Sequence, residues 1–409
     1  MAFGTFRSLK NNNYRIWAAG AFVSNIGTWM QRIAQDWLVL TELTHNNASA
    51  VGIVMSLQFA PQLLLLPWSG WAADRFERRK FLFATQAGLG LISLVQGLLV
   101  IFGVVLLWHV YVLAFLFGCV AALDLPARQT FVSDLVGEAD ISNAVGLNST
   151  SFNAARLIGP AVAGGMIAVT GTGWVFVINA LSFAAVIGAL LSLDLPPFVR
   201  RKKSARDNGG LVEGFRYITS RADLMAVLLM SFLICTFGLN FPIFISTMSV
   251  REFHAGASQY GASVSIMAVG SLMGALLAAS RARSTMQHLL VGASVFGVAC
   301  LLAAIAPSYW LFAAALILIG VSAQTFTTSA NGLVQLSTAP AVRGRVLAIY
   351  LAVVLGGTPL GAPLVGWVAD MLGPRWALGV GAAAGLGAAI TALVYFLRRR
   401  RDQQLLLSS

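Results

Sequence analysis

Residues 70–106 read GWAADRFERRKFLFATQAGLGLISLVQGLLVIFGVVL, a short charged segment followed by a long apolar one. The apolar part, from Phe81 to Leu106, contains no Asp, Glu, Lys or Arg. An α-helix of about 20 residues crosses the roughly 30 Å hydrocarbon core of a bilayer. This stretch therefore predicts a transmembrane helix that begins beside a basic loop.

Apolar runs of similar length recur along all 409 residues, of which 58% are hydrophobic and 10% are charged. Soluble domains carry about 25% charged residues, so the composition predicts an all-α membrane protein with little room for a soluble domain. We expect twelve spans, at residues 14–40, 49–73, 81–106, 108–126, 143–170, 174–195, 224–250, 260–280, 289–306, 310–328, 346–371 and 376–397.

The twelve expected spans fall into two groups of six, separated by a polar and basic segment. The expected domains are an N-terminal six-helix bundle (1–195), a cytoplasmic linker (196–223), a C-terminal six-helix bundle (224–397) and a cytoplasmic tail (398–409). The halves also resemble each other, because glycines and a proline recur at similar places in the fifth and eleventh spans. Two pseudo-symmetric bundles are typical of alternating-access transporters. The repeated residues are Gly159, Pro160 and Gly164 in one half and Gly361, Pro363 and Gly366 in the other.

The net charge of +12 is distributed unevenly between the two sides of the expected membrane. With the N-terminus inside the cell, all but four of the 27 basic residues lie in cytoplasmic segments. The exceptions are Arg251 and Arg375 outside, and Arg32 and Arg156 within spans. Because cytoplasmic loops retain positive charge, we expect a multi-pass protein of the cell (inner) membrane with both termini cytoplasmic. The basic residues then face the lipid bilayer, and no nucleic-acid partner is expected.

The charged segment at residues 70–80 resembles the loop 2–3 signature of the major facilitator superfamily. Glu77 replaces a glycine that is usual in that signature. The resemblance implies a conformational latch, in which ion pairs form in one state and break in another; a static interfacial cluster is the alternative. The matching residues are Gly70, Asp74, Arg75, Arg78 and Arg79.

Residues 159–165, GPAVAGG, are similar to the signature of antiporter branches of this superfamily. Small residues let helices approach closely and a proline removes a backbone donor, so the segment fits either a gate or plain helix packing. The sequence also resembles the branch of transmembrane secretion effectors that includes enterobactin exporters, in residues 29–38, 124–129 and 148–156. This resemblance implies export. The gate or packing residues are Gly159, Pro160, Gly164 and Gly165.

Ionisable residues inside spans are costly, so each one is a functional hypothesis. Arg32 and Asp36 lie one helical turn apart in the first span, as a proton site tuned by a cation or as a structural ion pair. Arg156 lies near the middle of the fifth span and requires a wet cavity, a carboxylate or an anionic substrate. Asp124, four residues before Arg128, is a second proton-coupling candidate or part of an interfacial salt bridge.

Uncharged polar residues inside spans extend the expected substrate cavity. Interhelical hydrogen bonding is the alternative role for each of them. With Arg32 and Arg156, the cavity candidates are Asn25, Gln31, Gln35, Asn240, Gln324 and Asn331.

The chain has no Gly-rich phosphate loop, so we expect no ATP hydrolysis. Its four histidines and three cysteines are scattered, so we expect no metal, no other cofactor and no enzyme activity. We predict a monomeric secondary transporter that exports a small molecule, siderophore-like or drug-like, in exchange for protons by alternating access. The alternatives are a facilitator or importer of a nutrient or lipid, and, from a different class, a channel, a sensor or a membrane-embedded enzyme. Counterflow in oriented vesicles separates the transport alternatives, and accumulation against a gradient excludes a channel.

Overall fold

The computed structural model describes residues 6–193, 211–281, 283–340 and 342–408, and these residues contain helices but no β-strand. In the first half the helices are α1 (Asn12–Trp37), α2 (Ala48–Leu64), α3 (Leu66–Arg75), α4 (Arg78–Ile101), α5 (Leu107–Leu135), α6 (Ile141–Thr170) and α7 (Thr172–Ser192). In the second half they are α8 (Leu211–Thr219), α9 (Ala222–Leu233), α10 (Phe241–Thr247), α11 (Ala257–Ala279), α12 (Met286–Ala304), α13 (Tyr309–Ser337), α14 (Arg343–Leu372) and α15 (Pro374–Ser408).

Helix ends follow local sequence signals. Asn11 caps α1, because its side chain accepts a hydrogen bond of 3.2 Å from the backbone amide of Tyr14. The helices α6 and α14 end at Gly171 and Gly373, whose φ angles of 85° and 104° are rarely adopted by other residues. The same glycine signal therefore ends the fifth and the eleventh predicted spans.

The membrane-spanning architecture predicted from the sequence is confirmed. Ten segments of the described residues are long and apolar enough to cross a bilayer, from Arg78–Ile101 to Pro374–Arg401. The first two predicted spans correspond to α1, which continues as a π-helical turn over Leu38–Leu43, and to α2 with α3. The α1 helix carries Arg15, Arg32 and Asp36, and α2 has 17 residues, which explains why neither resembles an ordinary apolar span.

The chain forms two compact units, each made of several segments of the sequence. Unit 1 comprises the described residues of Met1–Asn46, Leu57–Ser204 and Ala255–Ser265. Unit 2 comprises those of Asn47–Ser56, Ala205–His254 and Ile266–Ser409. Unit 1 thus includes the first residues of α11, and unit 2 includes the first residues of α2. The rest of each helix belongs to the other unit. Most of the predicted linker lies outside the described residues, and its end contains α8.

Each unit has its own apolar core. Tyr14, Trp17 and Phe131 are fully buried in unit 1, where the rings of Trp17 and Phe131 meet edge to face at 4.9 Å. In unit 2, Leu224 and Phe326 are fully buried in a second cluster. Many large apolar residues outside these cores are exposed, as expected of helices that face lipid.

Candidate functional site

Arg32 and Asp36 lie on one face of α1 in unit 1, and Asp36 is buried at 7% exposure. The Oδ2 atom of Asp36 accepts a hydrogen bond of 3.0 Å from the hydroxyl of Tyr260, near the start of α11. The Tyr260 ring is fully buried and stacks on Trp37, with ring centroids 6.2 Å apart. The predicted carboxylate is therefore inside the protein and has a tyrosine partner.

Two arginines approach the ring of Trp29, which lies two helical turns before Asp36. The guanidinium carbon of Arg32 lies 4.7 Å from the Trp29 ring centroid and 5.5 Å from that of Phe59. The guanidinium carbon of Arg156, on α6, lies 5.6 Å from the Trp29 ring centroid. Contacts of this kind are favourable for a cation in a desolvated place.

Arg32 has charged neighbours of both signs. Arg32 interacts electrostatically with both Asp36 and Arg156, so two cations share the neighbourhood of one carboxylate. The Nε atom of Arg32 is buried and has no hydrogen-bond partner among the described residues. A buried guanidinium donor without a partner favours binding of an anion or water. We call Trp29, Arg32, Asp36, Arg156 and Tyr260 the cation–carboxylate cluster.

Asp124, the second predicted proton site, lies in a different polar cluster between α4 and α5. Its Oδ1 atom accepts hydrogen bonds of 2.7 Å from the Thr85 hydroxyl and from the Gln86 amide. Its Oδ2 atom pairs with Arg128 Nε at 3.1 Å. Asn25, predicted to line the cavity, accepts a hydrogen bond of 3.3 Å from Arg128 Nη1. Because the Asp124 carboxylate is held by three donors, this geometry favours an interhelical role.

Gln31 and Gln35 are buried on α1, at 2% and 3% exposure. The Gln31 Oε1 atom accepts hydrogen bonds from Ser93 at 2.6 Å and from Asn179 at 2.5 Å, which joins α1 to α4 and α7. Its amide nitrogen is buried without a hydrogen-bond partner among the described residues. The Gln31 side chain therefore holds three helices together.

The cavity candidates of the second half lie in unit 2. Asn240 is fully buried, and its amide donates to the Thr236 carbonyl at 2.8 Å. Gln324 donates to Thr328 at 3.2 Å, and Asn331 accepts from Gln335 at 3.0 Å, so both are linked along α13. Each of these contacts joins residues four positions apart in the sequence.

The predicted latch lies at the end of α3 and the start of α4. Arg78 forms an ion pair with Asp134 on α5, and Arg79 donates to the Leu191 carbonyl at 3.0 Å. Arg75 and Gly70 are exposed, and the side chain of Asp74 lies outside the described part of the structure. The described part of the latch region therefore includes contacts from α4 to α5 and to the end of α7.

The glycine and proline segment of α6 contacts two helices. A Cβ atom at Gly159 would lie 2.7 Å from the Trp29 Cβ atom, so the absence of a side chain at Gly159 lets α1 pack closely on α6. A Cβ atom at Gly164 would lie 2.6 Å from the Ala257 carbonyl oxygen, and Gly261 lies against the Pro160 carbonyl. The segment is thus the surface on which the beginning of α11 packs.

The sequence analysis did not identify Tyr260, Trp29 or Phe59 as site residues. Trp29 lies in the stretch 29–38 that carries the family likeness, but aromatic residues are common throughout the spans, and nothing in the sequence marks Phe59 or Tyr260. Only the packing of α11 and α2 on α1 brings Tyr260 to Asp36 and Phe59 to Arg32.

Comparison with known proteins gives likeness over nearly the whole chain. Residues 3–408 match the family described as transmembrane secretion effector. The chain is 25% identical over 386 residues to the staphyloferrin A transporter of Staphylococcus aureus (strain NCTC 8325 / PS 47), which covers 93% of this chain and 95% of that protein. It is 25% identical over 360 residues to the enterobactin exporter EntS of Citrobacter koseri, over 87% of this chain and 84% of that one.

Among solved structures, a bacterial homologue of the human lysosomal transporter Spinster, in an inward-facing and unoccupied conformation, is similar with a TM-score of 0.74. The match covers 95% of this chain and 97% of that chain at 15% sequence identity. At that identity the likeness shows the fold.

Proposed function

The chain belongs to the transmembrane secretion effector family of the major facilitator superfamily, and from this premise we propose that it exports a small anionic molecule in exchange for protons. Membership makes the chain a multi-pass membrane transporter rather than an enzyme. The resemblance noted in the sequence is thereby confirmed. The direction, the coupling ion and the substrate form the proposal.

The observation that carries the proposal is the cation–carboxylate cluster. Arg32 and Arg156 both approach the Trp29 ring, and Asp36 lies one turn from Arg32. Two guanidinium groups beside an aromatic ring favour an anion that carries an aromatic or other flat apolar part. A buried carboxylate next to them can exchange a proton when an anion arrives or leaves, since each charge alters the cost of the other.

In the proposed cycle, the site opens to the cytoplasm and Asp36 releases its proton there, a step that Arg32 favours because a nearby cation stabilises the carboxylate. The anionic substrate then binds at Arg32 and Arg156. The substrate leaves on the outer side, and Asp36 takes up a proton there before the carrier returns. One proton moved inward through ~150 mV supplies about 3.5 kcal/mol, which by itself sustains roughly a 300-fold substrate gradient. A monovalent anion that moves outward gains a similar amount from the same potential. Asp124 is the less favoured proton site because its oxygens are already held by Thr85, Gln86 and Arg128.

Within this proposal, a siderophore-like anion is preferred over a hydrophobic drug. Two relatives are named for siderophores, staphyloferrin A and enterobactin, and the positive charge of the cluster agrees with an acidic substrate. The aromatic rings of Trp29 and Phe59 also suit hydrophobic drugs. The experiment therefore compares the anion with a drug-like aromatic cation.

Further parts of the proposal concern placement and gating. The distribution of Lys and Arg supports cytoplasmic termini in the cell (inner) membrane, and the protein is proposed to act as a monomer. The segment from Gly70 to Arg79 is proposed as the latch, and residues 159–165 as the gate. The contacts of Arg78 with Asp134 and of Gly164 with α11 support these roles.

The experiment uses purified protein in liposomes that contain the pH indicator pyranine. A pH gradient is imposed, and 2,3-dihydroxybenzoate, a catecholate acid, is compared with the aromatic cation ethidium. We expect proton movement that depends on 2,3-dihydroxybenzoate and opposes its transport. Proton movement with ethidium alone would contradict the anionic substrate, and accumulation of 2,3-dihydroxybenzoate without proton movement would contradict proton coupling.

A further inference from the structure

The hydrogen bond between Tyr260 and Asp36 joins two helices that are far apart in the sequence. Tyr260 belongs to α11 and Asp36 to α1, and both side chains are buried in unit 1. Stacking on Trp37 fixes the Tyr260 ring, so its hydroxyl is directed at the carboxylate rather than free to turn away. The bond is therefore a defined contact between the proposed proton site and α11.

A hydroxyl donor binds an ionised carboxylate about twice as strongly as a neutral acceptor. The contact is consequently strong when Asp36 is charged and weak when Asp36 is protonated. The charged and titratable groups around Asp36 are Arg32 on the same helix, Tyr260 on α11 and, beyond Arg32, Arg156 on α6. Of these, Tyr260 is the group that belongs to α11.

The first turns of α11 pack closely on α6 around this contact. The Ser258 hydroxyl donates to the Gly164 carbonyl at 3.3 Å, and the Ser265 hydroxyl donates to the Leu157 carbonyl at 2.7 Å. Gly261 lies between them, against the Pro160 carbonyl. Residues Ala255–Ser265 belong to unit 1, whereas α11 belongs to unit 2 from Ile266 onward. A change at Asp36 therefore acts on the part of α11 that belongs to unit 1.

We propose that Tyr260 is a positioning residue that transmits the protonation state of Asp36 to the first turns of α11. The ionised carboxylate holds these turns on α6, and protonation loosens them. This inference rests on the proposed function, in which Asp36 exchanges a proton during transport. It adds a residue and a route by which that proton changes the structure.

The experiment measures amide hydrogen exchange of residues 255–265 in the full-length protein by mass spectrometry, across pH and corrected for intrinsic exchange rates. Tyr260→Phe removes the hydroxyl and keeps the ring. We expect it to raise the exchange of these amides by about tenfold at high pH, where Asp36 is charged, and little at low pH. In the Asp36→Asn background, Tyr260→Phe should have little effect at any pH.

A matched control is Tyr14→Phe, which removes another buried tyrosine hydroxyl, bonded to the Ala144 carbonyl at 2.9 Å. This substitution should leave the exchange of residues 255–265 and its pH dependence unchanged. Equal effects of Tyr260→Phe in the native and Asp36→Asn backgrounds, or no effect in either, would overturn the inference. If Tyr260→Phe does not fold, Asp36→Asn alone decides, because it should abolish the pH dependence of this exchange.

Proton-coupled transport by the same variants separates this inference from the proposed function. In one outcome, Asp36→Asn abolishes proton coupling while amide exchange in residues 255–265 is unchanged by Asp36→Asn and by Tyr260→Phe. In that case the proposed role of Tyr260 is wrong and the proposed function stands. If coupling survives Asp36→Asn, the assignment of the coupled proton to Asp36 in the proposed function fails, whatever the exchange shows.

Discussion

Gly164 on α6 and Gly366 on α14 make equivalent close approaches to the beginning of another helix. A Cβ atom at either position would lie 2.6 Å from a backbone carbonyl oxygen, that of Ala257 for Gly164 and that of Ala48 for Gly366. Ala257 begins α11 and Ala48 begins α2. The glycine repeat seen in the sequence thus corresponds to one packing arrangement that occurs once in each unit.

Gly164→Ala should destabilise the protein, whereas Gly165→Ala should not. The added methyl at Gly164 meets backbone of α11, which cannot move as a side chain does, and overpacking of this kind costs about 1–3 kcal/mol. Gly165 has open space around its Cβ position, so alanine there should be neutral or stabilise the helix by up to about 1 kcal/mol. Thermal unfolding in detergent measures both, and equal stability of the two variants would contradict the close approach.

Asp370→Asn should weaken the attachment of α2 to α14. Asp370 accepts hydrogen bonds of 2.8 Å from the backbone amides of Ala48 and Ser49, and one of 2.6 Å from the Ser49 hydroxyl. It also pairs with Arg251 at 3.1 Å. Loss of a charged cap and ion pair should lower the free energy of unfolding by about 1–2 kcal/mol.

The control for Asp370→Asn is Asp140→Asn, because Asp140 pairs with Arg7 at 2.7 Å but both side chains are largely solvent-accessible. Exposed pairs contribute about 0–1 kcal/mol, so this variant should unfold nearly like the native protein. If the two variants lose the same stability, the Asp370 contacts do not have the structural role described.

Arg156→Gln should weaken anion transport and spare the fold. The guanidinium lies over Trp29 beside Arg32, so its removal takes one of the two cations from the proposed substrate site. We expect at least a tenfold rise in the KM for 2,3-dihydroxybenzoate, and a smaller rise for Arg156→Lys, which keeps the charge but loses the planar contact. Arg15→Gln, on the exposed face of α1, is the control, and an equal effect there would contradict a specific role for Arg156.

Asp124→Asn should reduce stability without removing proton coupling. Thr85, Gln86 and Arg128 all donate to this carboxylate. Deleting one partner of a buried ion pair lowers the free energy of unfolding by about 3–5 kcal/mol, and an isosteric amide should lower it less. The unfolding temperature should therefore fall clearly, whereas transport per folded molecule should change little. Loss of pH-dependent transport in a stable Asp124→Asn variant would transfer the proton role from Asp36 to Asp124.

The sequence was sufficient to predict the membrane architecture and to mark the charged residues of the site. Long apolar runs dictate helices in lipid whatever their neighbours are, which is why the spans could be placed. Arg32, Asp36 and Arg156 stood out because a charge inside a span is rare and costly. The structure places all three in unit 1, with both arginines around Trp29.

The partners of these charges could not be predicted, because they depend on which helices pack together. Tyr260 lies 224 residues from Asp36, and Asp370 lies 321 residues from Ser49. Hydropathy indicates that a segment is a helix but not which neighbour it contacts. For the same reason the sequence could not show that the first turns of α11 contact α6.

The most direct test of the account is proton-coupled transport by Asp36→Asn in pyranine-loaded proteoliposomes, with 2,3-dihydroxybenzoate on one side and a variable pH gradient. The amide should fold and bind the anion, because it keeps the size of the side chain and can still accept from Tyr260. We predict that its transport no longer responds to the pH gradient and moves no protons. Native proton movement per transported anion in this variant would contradict the central claim that Asp36 carries the coupled proton.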